Sequence, residues 1–517
     1  MGESIIIGSR GSDLALWQAN FLREELLKIG IQSEIKIIKT QGDKIQNISL
    51  EKLEGKGFFT KEIEDALLEN VIDIAVHSHK DLPTELTPGL MIAAVSHRED
   101  PSELLLIRKD AVDNSKAFEL KENAIIGTSS ARRMVQMKFF RPDVVMKDIR
   151  GNVPTRIEKL RSGNYNAILL AAAGVKRLQL DCSDLHEINL PATIFIPAPA
   201  QGVLAFQCRR NDEKTIAVLK QLNHADVVER IFIEREVMRL FQGGCHMPLG
   251  VFCKKENSVF RIWTAQAADK SDELKRLYLE TDNIEAAPVK IFHSLQKKSN
   301  RSVFISSNGN ADSPFIKLLT AKGFNVQAKS LLNIQPVKIN SVPSADWLFF
   351  TSKNGVQNFF SQVKNINYKI AAVGEETATC IKSLGYAVDF TGYGDNREIA
   401  ATFLRHAAGS SVLFPQAETS ADKLFNLIGR EKTVIKLVVY KNEIISEFEI
   451  NAPDILVFTS PMNVDAYLHK YEITEGIHII AIGNTTKEYL HSKGIQHVMV
   501  PPFKNLMSVA DLICGLY

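Results

Sequence analysis

Cysteine is sparse in this chain of 517 residues: six, at positions 182, 208, 245, 253, 380 and 514, with no C-x-x-C pair and no even spacing. That pattern excludes a disulfide-stapled scaffold and makes reduced thiols the default. No apolar run approaches the roughly 18–20 residues that a membrane helix needs. The opening "MGESIIIGSRGSD" lacks the basic and long apolar regions of a secretory signal, and Ile6 stands where a myristoylation signal requires Ser or Thr. A cytoplasmic location without membrane attachment is therefore expected. Neither sign of charge is in excess, since 62 Lys and Arg face 60 Asp and Glu. This argues against a general nucleic-acid binder, so anion chemistry must come from local basic clusters. A phosphate loop of the form G-x-x-x-x-G-K-[ST] is also missing, and the glycine loops that remain are weak nucleotide signals.

What is there alternates. "SIIIGSR" reads as a buried strand. "SDLALWQANFLREELLKIG" reads as a helix with Ser12 as N-cap, Leu14, Trp17 and Phe21 on one face and Gly30 as its stop. "SEIKIIKT", "FTKEIEDALLENV" and "DIAVHS" continue as strand, helix and strand. A second alternating set runs through "ELLLIR", "AIIGTSS", "ARRMVQMKFF", "VVMKDIRG" and "AILLAAAG". Such alternation predicts mostly parallel sheets with helices on both faces. The Pro- and Ala-rich "PATIFIPAPAQG" reads as a crossover, and "SLQKKSNR" has the composition of a linker. Beyond it an internal repeat appears: "LFFTSKNGVQNFF…IAAVGEETATCIKSLGYAV" returns as "LVFTSPMNVDAYL…IIAIGNTTKEYLHSKGIQHV". Two such α/β units commonly hold a ligand in the cleft between them.

Four clusters carry chemistry in the first 210 residues. They are "GSRGSDLALWQ" with Arg10 and Ser12, the glycine-bracketed "EKLEGKGFFTKE" with Lys52 and Lys56, and "AVHSHKDLP" with Lys80 and Asp81. The fourth is spread over "GTSSARR", "IRGNVPTR" and "GVKR" and contributes Ser130, Arg132, Arg133, Arg150, Arg156 and Arg177. Several stand where a strand meets a helix N-terminus, whose free N–H groups already favour anions. Guanidinium groups grip carboxylates bidentately, so the ligand should carry many carboxylates or phosphates. Asp81, set among cations, suits a carboxylate kept ionised to steady a cationic intermediate and pass protons. His77, His79 and Asp81 alternate and would share one strand face as metal ligands, but no fourth ligand stands nearby, and no metal is expected. Cys245, in "RLFQGGCHMPLG", reads from its own window as either a buried structural thiol or a nucleophile.

Taken in order, "RGSDLALWQ", "GKGFFTKE", "HSHKDLP", "GTSSARR", "RGNVPTR" and "GGCHMPLG" resemble the porphobilinogen deaminase (hydroxymethylbilane synthase) family over residues 3–295. Ala131 departs from the usual leucine, and His79 and His246 fall at variable positions. The resemblance implies a transferase that polymerises four porphobilinogen units to hydroxymethylbilane and releases ammonia. It implies a dipyrromethane cofactor, one per chain, held covalently by Cys245, with Asp81 as the catalytic carboxylate. Lys80, Ser130, Arg132, Arg133 and Arg156 would hold the cofactor. Arg10, Ser12, Arg150, Arg177 and Gln201 would face the incoming substrate, with Lys52, Lys56 and Phe59 in a loop over the cleft. Each added ring brings two carboxylates, which accounts for the many arginines.

Residues 302–517 resemble uroporphyrinogen-III synthase through the two FTS turns, "AVGEETA", "LVVYKNE" and "AIGNTTKEYL". The usual arginine after the first strand is absent, Ser306 and Ser307 standing there. By this resemblance Tyr440 helps the ring-D hydroxyl leave, while Ser352, Ser460, Thr485 and Thr486 line the cleft. The second activity would close hydroxymethylbilane to uroporphyrinogen III with ring-D inversion, chiefly by folding a flexible chain.

The fold class implied is α/β: two lobes resembling periplasmic binding proteins, a small α+β domain, then a two-lobed α/β cosynthase module. The expected limits are 1–98 with 197–217, 99–196, 218–294, a linker at 295–301, 302–336 with 443–517, and 337–442. The expected partners are small molecules, and the expected state is a monomer. Two rival readings are a non-catalytic carboxylate binder, which would need neither Asp81 nor Cys245, and a deaminase with an inactive second half.

Overall fold

Two sheets with the same strand pattern make the first two lobes, and the chain passes between them twice. The computed structural model describes residues 4–40, 60–242, 247–270, 273–364, 366–393, 396–407, 409, 411–420 and 422–517. The first sheet runs β2 (Ser33–Ile37), β1 (Ile5–Ser9), β3 (Ile74–Ser78), β10 (Leu204–Arg209), β4 (Leu90–Val95). The second runs β7 (Val145–Lys147), β6 (Ile125–Gly127), β8 (Ala167–Ala171), β5 (Glu103–Arg108), β9 (Leu185–Leu190). In each, three parallel strands are followed by one antiparallel strand and an edge strand antiparallel to that.

The sheets are thus mixed, not mostly parallel as alternation predicts. The reason is topological: β5 and β10 are the strands the chain enters from the opposite lobe, and each arrives from the far end of the sheet. The central strands are buried along most of their length, as in Leu104–Ile107 and Ala167–Leu170, which explains their unbroken apolar runs. Ser12 caps the helix Asp13–Lys28 by accepting from the Ala15 N–H, and Gly30 follows its end at φ +78°.

A third, antiparallel sheet is the meander β11 (Leu249–Glu256), β12 (Val259–Gln266), β13 (Lys275–Thr281), packed by helices Ala225–Leu240 and Ala286–Gln296. Glu234 ties it to both crossings. Its fully buried carboxylate pairs with Arg98 at 2.6 Å and accepts from the Ala200 and Cys253 N–H groups.

The C-terminal half has two further sheets. One is wholly parallel: β15 (Asn325–Ala328), β14 (Ser302–Ile305), β22 (Ile455–Phe458), β23 (His478–Ala481), β24 (Val498–Met499). The other runs β16 (Leu332–Pro336), β21 (Thr433–Ile444), β20 (Ser411–Ala417), β17 (Trp347–Phe350), β18 (Lys369–Val373), β19 (Phe390–Gly392) and is parallel except for β16. Leu332–Pro336 pairs with Tyr440–Ile444, so the two connections between these lobes form one ribbon. The segment 297–301 is anchored: the Ser299 N–H donates to the Lys322 carbonyl at 2.8 Å. Gly323, at φ +94°, passes so close that a Cβ would lie 2.4 Å from the Ser299 oxygen. No helix among the described residues is long and apolar enough to cross a membrane.

Candidate active sites

Parallel strands put their C-terminal ends on one sheet edge, and in open α/β sheets ligands gather there. β1 ends at Arg10 and Ser12, and β3 runs into the tight turn His79–Asp81, so these residues share an edge of the first sheet. On the second sheet β6 leads to Ser130, β7 to Arg150 and β8 to the helix Ala172–Arg177. The two edges meet through charge. The guanidinium of Arg156 feels Arg133, Asp81 and Arg150, and the ammonium of Lys80 feels Asp81, Arg133, Glu103 and Arg132.

At the junction lies a buried ionic cluster. The Glu103 carboxylate, fully buried, meets Arg132 at 2.6 Å and Arg133 at 2.7 Å. Burial alone would raise its pKa; Arg133, Arg132 and Lys80 outweigh that and hold it down at about 2. Gln201 bridges the lobes: its Nε2 donates to the Pro101 carbonyl at 2.8 Å and to Glu103 at 3.1 Å, while its Oε1 accepts from Lys80 at 3.2 Å. It is fully buried and thus positions Lys80 instead of lying open to the cleft. Arg132 donates to the Ile196 carbonyl as well as to Glu103. Arg133 donates to the Leu169 carbonyl, yet its buried Nε has no partner among the described residues.

Around this cluster, Asp81 is exposed at the tip of its turn. Burial, joined by Arg133 and Arg150 and opposed by Asp81, lowers the Arg156 pKa to about 10; it stays charged at neutral pH. Arg177 donates to the Gly202 carbonyl at 2.7 Å and lies over the Trp17 ring at 5.3 Å, with its buried Nε also unpartnered among the described residues. Burial lowers its pKa to about 10 too. Ser130 stands at the start of helix Ala131–Phe140 with no capping hydrogen bond from its side chain. His77 is not a ligand-like group: its ring Nε2 is 2.9 Å from Gln207 Oε1, and Gln207 donates to Glu64. Cys245, Lys52, Lys56 and Phe59 lie outside the described residues, as does His246. The other five cysteines are free thiols, four of them buried.

In the C-terminal half the repeat has a structural meaning. Ser352 and Ser460 cap equivalent helices, Lys353–Phe360 and Pro461–Leu468, with nearly identical backbone angles (φ −157°, ψ 154° and φ −160°, ψ 159°). The Tyr440 hydroxyl lies 3.3 Å from Ser352 Oγ, and burial raises its pKa, so the phenol keeps its proton at neutral pH. Ser306 Oγ accepts from the Thr459 N–H at 2.9 Å, tying β14 to the second FTS turn. Thr486 is buried in the first turn of helix Asn484–Ser492, while Thr485 is exposed.

Sequence reasoning missed Glu103, Glu234 and the contact of Trp17 with Arg177. The available signal for Glu103 was an acid opening an apolar strand directly after a proline and a serine, "PSELLLIR". Trp17 reads as core from its helical spacing, but its ring stacks on Phe21 and supports Arg177.

Residues 5–217 match the family described as "Porphobilinogen deaminase, dipyromethane cofactor binding domain", and residues 313–509 match "Uroporphyrinogen-III synthase HemD". The porphobilinogen deaminase of Syntrophomonas wolfei is 45% identical over 263 residues, half of this chain and 84% of that protein. That of Gloeobacter violaceus is 43% identical over 261 residues, covering 79% of it. The crystal structure of uroporphyrinogen-III synthetase from Helicobacter pylori aligns with 42% of this chain and 99% of its own at 22% identity and a TM-score of 0.32. The chain belongs to the porphobilinogen deaminase family through its N-terminal half, and its residues 313–509 carry the match to uroporphyrinogen-III synthase.

Proposed function

We propose that this chain polymerises porphobilinogen in the crevice between its first two lobes and cyclises the resulting hydroxymethylbilane between its last two. Both halves are enzymes of tetrapyrrole biosynthesis by family. The observation that carries the deaminase reading is the meeting of Lys80 and Asp81 with Arg133 and Arg156 across the lobe boundary.

The N-terminal match is to a dipyrromethane-binding domain, and the residues present fit such a polycarboxylate. Among the described residues, the buried Nε–H groups of Arg133 and Arg177 have no acceptor, a costly arrangement that a bound anion would relieve. Lys80, Arg133, Arg156 and Ser130 would hold the group, with Arg132 acting through Glu103. Linked through the Cys245 sulfur, the group supplies the pyrrole to which substrate units are added. Cys245 is the only cysteine set in the "GGC" signature, flanked by Gly243 and Gly244. Arg10, Arg150 and Arg177 bind substrate carboxylates through charge-assisted hydrogen bonds, and the Ser12 hydroxyl donates a neutral one. Lys52, Lys56 and Phe59 cover the crevice by family match. Asp81 holds and moves the proton as ammonia leaves the aminomethyl group and the new bond forms. Gln201 keeps the Lys80 ammonium beside it.

In the second half the Tyr440 phenol donates a hydrogen bond to the departing hydroxyl, with Ser352 orienting it. Ser460, Thr485 and Thr486 line the facing lobe, and shape does most of the work because the substrate ionises readily.

Intact mass of the purified chain tests the covalent step. The full-length protein should exceed its sequence mass by two linked pyrroles, and Cys245→Ser should remove the excess. An unchanged wild-type mass from actively turning-over protein would overturn the assignment of Cys245.

A further inference from the structure

One hydrophobic cluster crosses the boundary between the two enzymes. It contains Ile233, Val237 and Met238 from helix Ala225–Leu240 together with Val251, Ile262 and Leu277 of the third sheet. It continues without a break into Val303 and Ile305 of β14, Phe315 and Leu318 of helix Pro314–Ala321, and Val509 and Ile513 of helix Leu506–Leu516. The last helix lies along β13 so closely that a Cβ on Gly515 would fall 1.9 Å from the Tyr278 carbonyl oxygen. Phe503, just before that helix, stacks on Trp263 of β12 with ring centroids 6.1 Å apart.

A buried ion pair locks the contact. Arg276 of β13 donates Nε and Nη2 to Asp511 at 3.0 and 2.9 Å, with side-chain exposures of 1% and 4%. The remaining nitrogen of Arg276 donates to the Ile194 carbonyl at 2.6 Å, in the crossover from the second lobe. One side chain therefore joins the second lobe, the third sheet and the cosynthase. A second, lighter touch lies elsewhere: Lys382 of the outer cosynthase lobe pairs at 3.0 Å with Glu119 of the second lobe, which also holds His186 at 2.8 Å.

We infer that the cosynthase half is a structural part of the deaminase: helix Leu506–Leu516 and Asp511 complete the core of the third sheet, so that the two enzymes fold and melt as one unit. The argument is one of exposed area and charge. Without that helix, β13 would present an apolar face to water and Arg276 would lose its carboxylate partner, keeping the Ile194 and Thr193 carbonyls and the Phe140 ring. The third sheet begins two residues after Met247, which itself packs on the shared core. Met247, two residues after the position expected to carry the cofactor, thus belongs to the core shared with the cosynthase.

Two measurements on the full chain test this. In the first, Asp511→Ala is compared with the wild type by heat inactivation of porphobilinogen consumption, a reaction that makes no use of the cosynthase cleft. The half-life at a fixed temperature should fall at least about tenfold. The double variant Arg276→Met with Asp511→Leu, which replaces the pair by apolar groups, should recover most of that loss. An unchanged deaminase half-life in Asp511→Ala would overturn the inference.

In the second, a specific protease site replaces the exposed residues 296–298 and the folded chain is cut there. The two fragments should co-elute on size exclusion at low and at high salt, with porphobilinogen consumption retained. Separation of the fragments with the deaminase still as heat-resistant as before would equally overturn it. This experiment decides the matter even should Asp511→Ala not accumulate as folded protein.

Discussion

Glu103 keeps its charge only because three cations surround it, and that dependence is measurable. Its folded pKa of about 2 lies below the ordinary 4.5, so its contribution is complete above about pH 4.5 and is lost as pH falls towards 2. The magnitude is on the order of 3 kcal/mol. His79 acts in the window above it. Burial, joined by Arg235, lowers its pKa from 6.5 to about 4, so protonation favours the unfolded chain as pH falls from 6.5 towards 4. Denaturation midpoints followed against pH should therefore decline in two stages. Glu103→Gln should remove the lower stage and also destabilise the protein at neutral pH by leaving Arg132 and Arg133 unpaired. His79→Asn should flatten the upper one.

Asp81 makes a different prediction. Asp81→Asn should lower kcat for porphobilinogen consumption by about 100-fold or more, with little change in the denaturation midpoint, because the side chain is exposed. Asp81 was singled out through its sequence neighbourhood, "HSHKDLP", which together with "GGC" carries the family resemblance. Glu103 was not, since the groups that justify burying an acid lie on other elements: Lys80 before it, Arg132, Arg133 and Gln201 after it. Gln201 was legible as part of the site but not as a buried brace, because pattern alone does not reveal which way an amide faces.

At the scale of elements, alternation correctly announced strands and helices but not their direction. A strand that arrives from another lobe carries the same apolar run as one that follows a local helix, so β5 and β10 were indistinguishable from parallel strands until the topology was seen. Caps were more readable, because a serine or asparagine before a helix acts within three residues: Ser12, Asn152, Ser352, Ser460 and Asn505 all accept from the first-turn backbone. The duplicated FTS turn predicts a shared function for Ser352 beside Tyr440. Tyr440→Phe should leave porphobilinogen consumption unchanged and shift the product away from the type III isomer. Its stability should change by only about 1 kcal/mol, the worth of one hydrogen bond. Ser352→Ala should cost a similar amount through the lost helix cap.

At the scale of the molecule, the third and fourth sheets of the one chain share a core. On the proposed function, a cosynthase fixed to its supplier would meet a raised local concentration of the linear tetrapyrrole, which closes to the type I isomer when free. The "SLQKKSNR" segment reads as a linker from its composition, yet its backbone is pinned to Lys322 and its flanks are packed. Composition reports solvation of the side chains and says nothing of the apolar neighbours on either side. Whether both reactions run on this one chain is decided by the isomer that the purified protein alone forms from porphobilinogen. Type III uroporphyrinogen as the main product is the predicted result; mainly type I would contradict it.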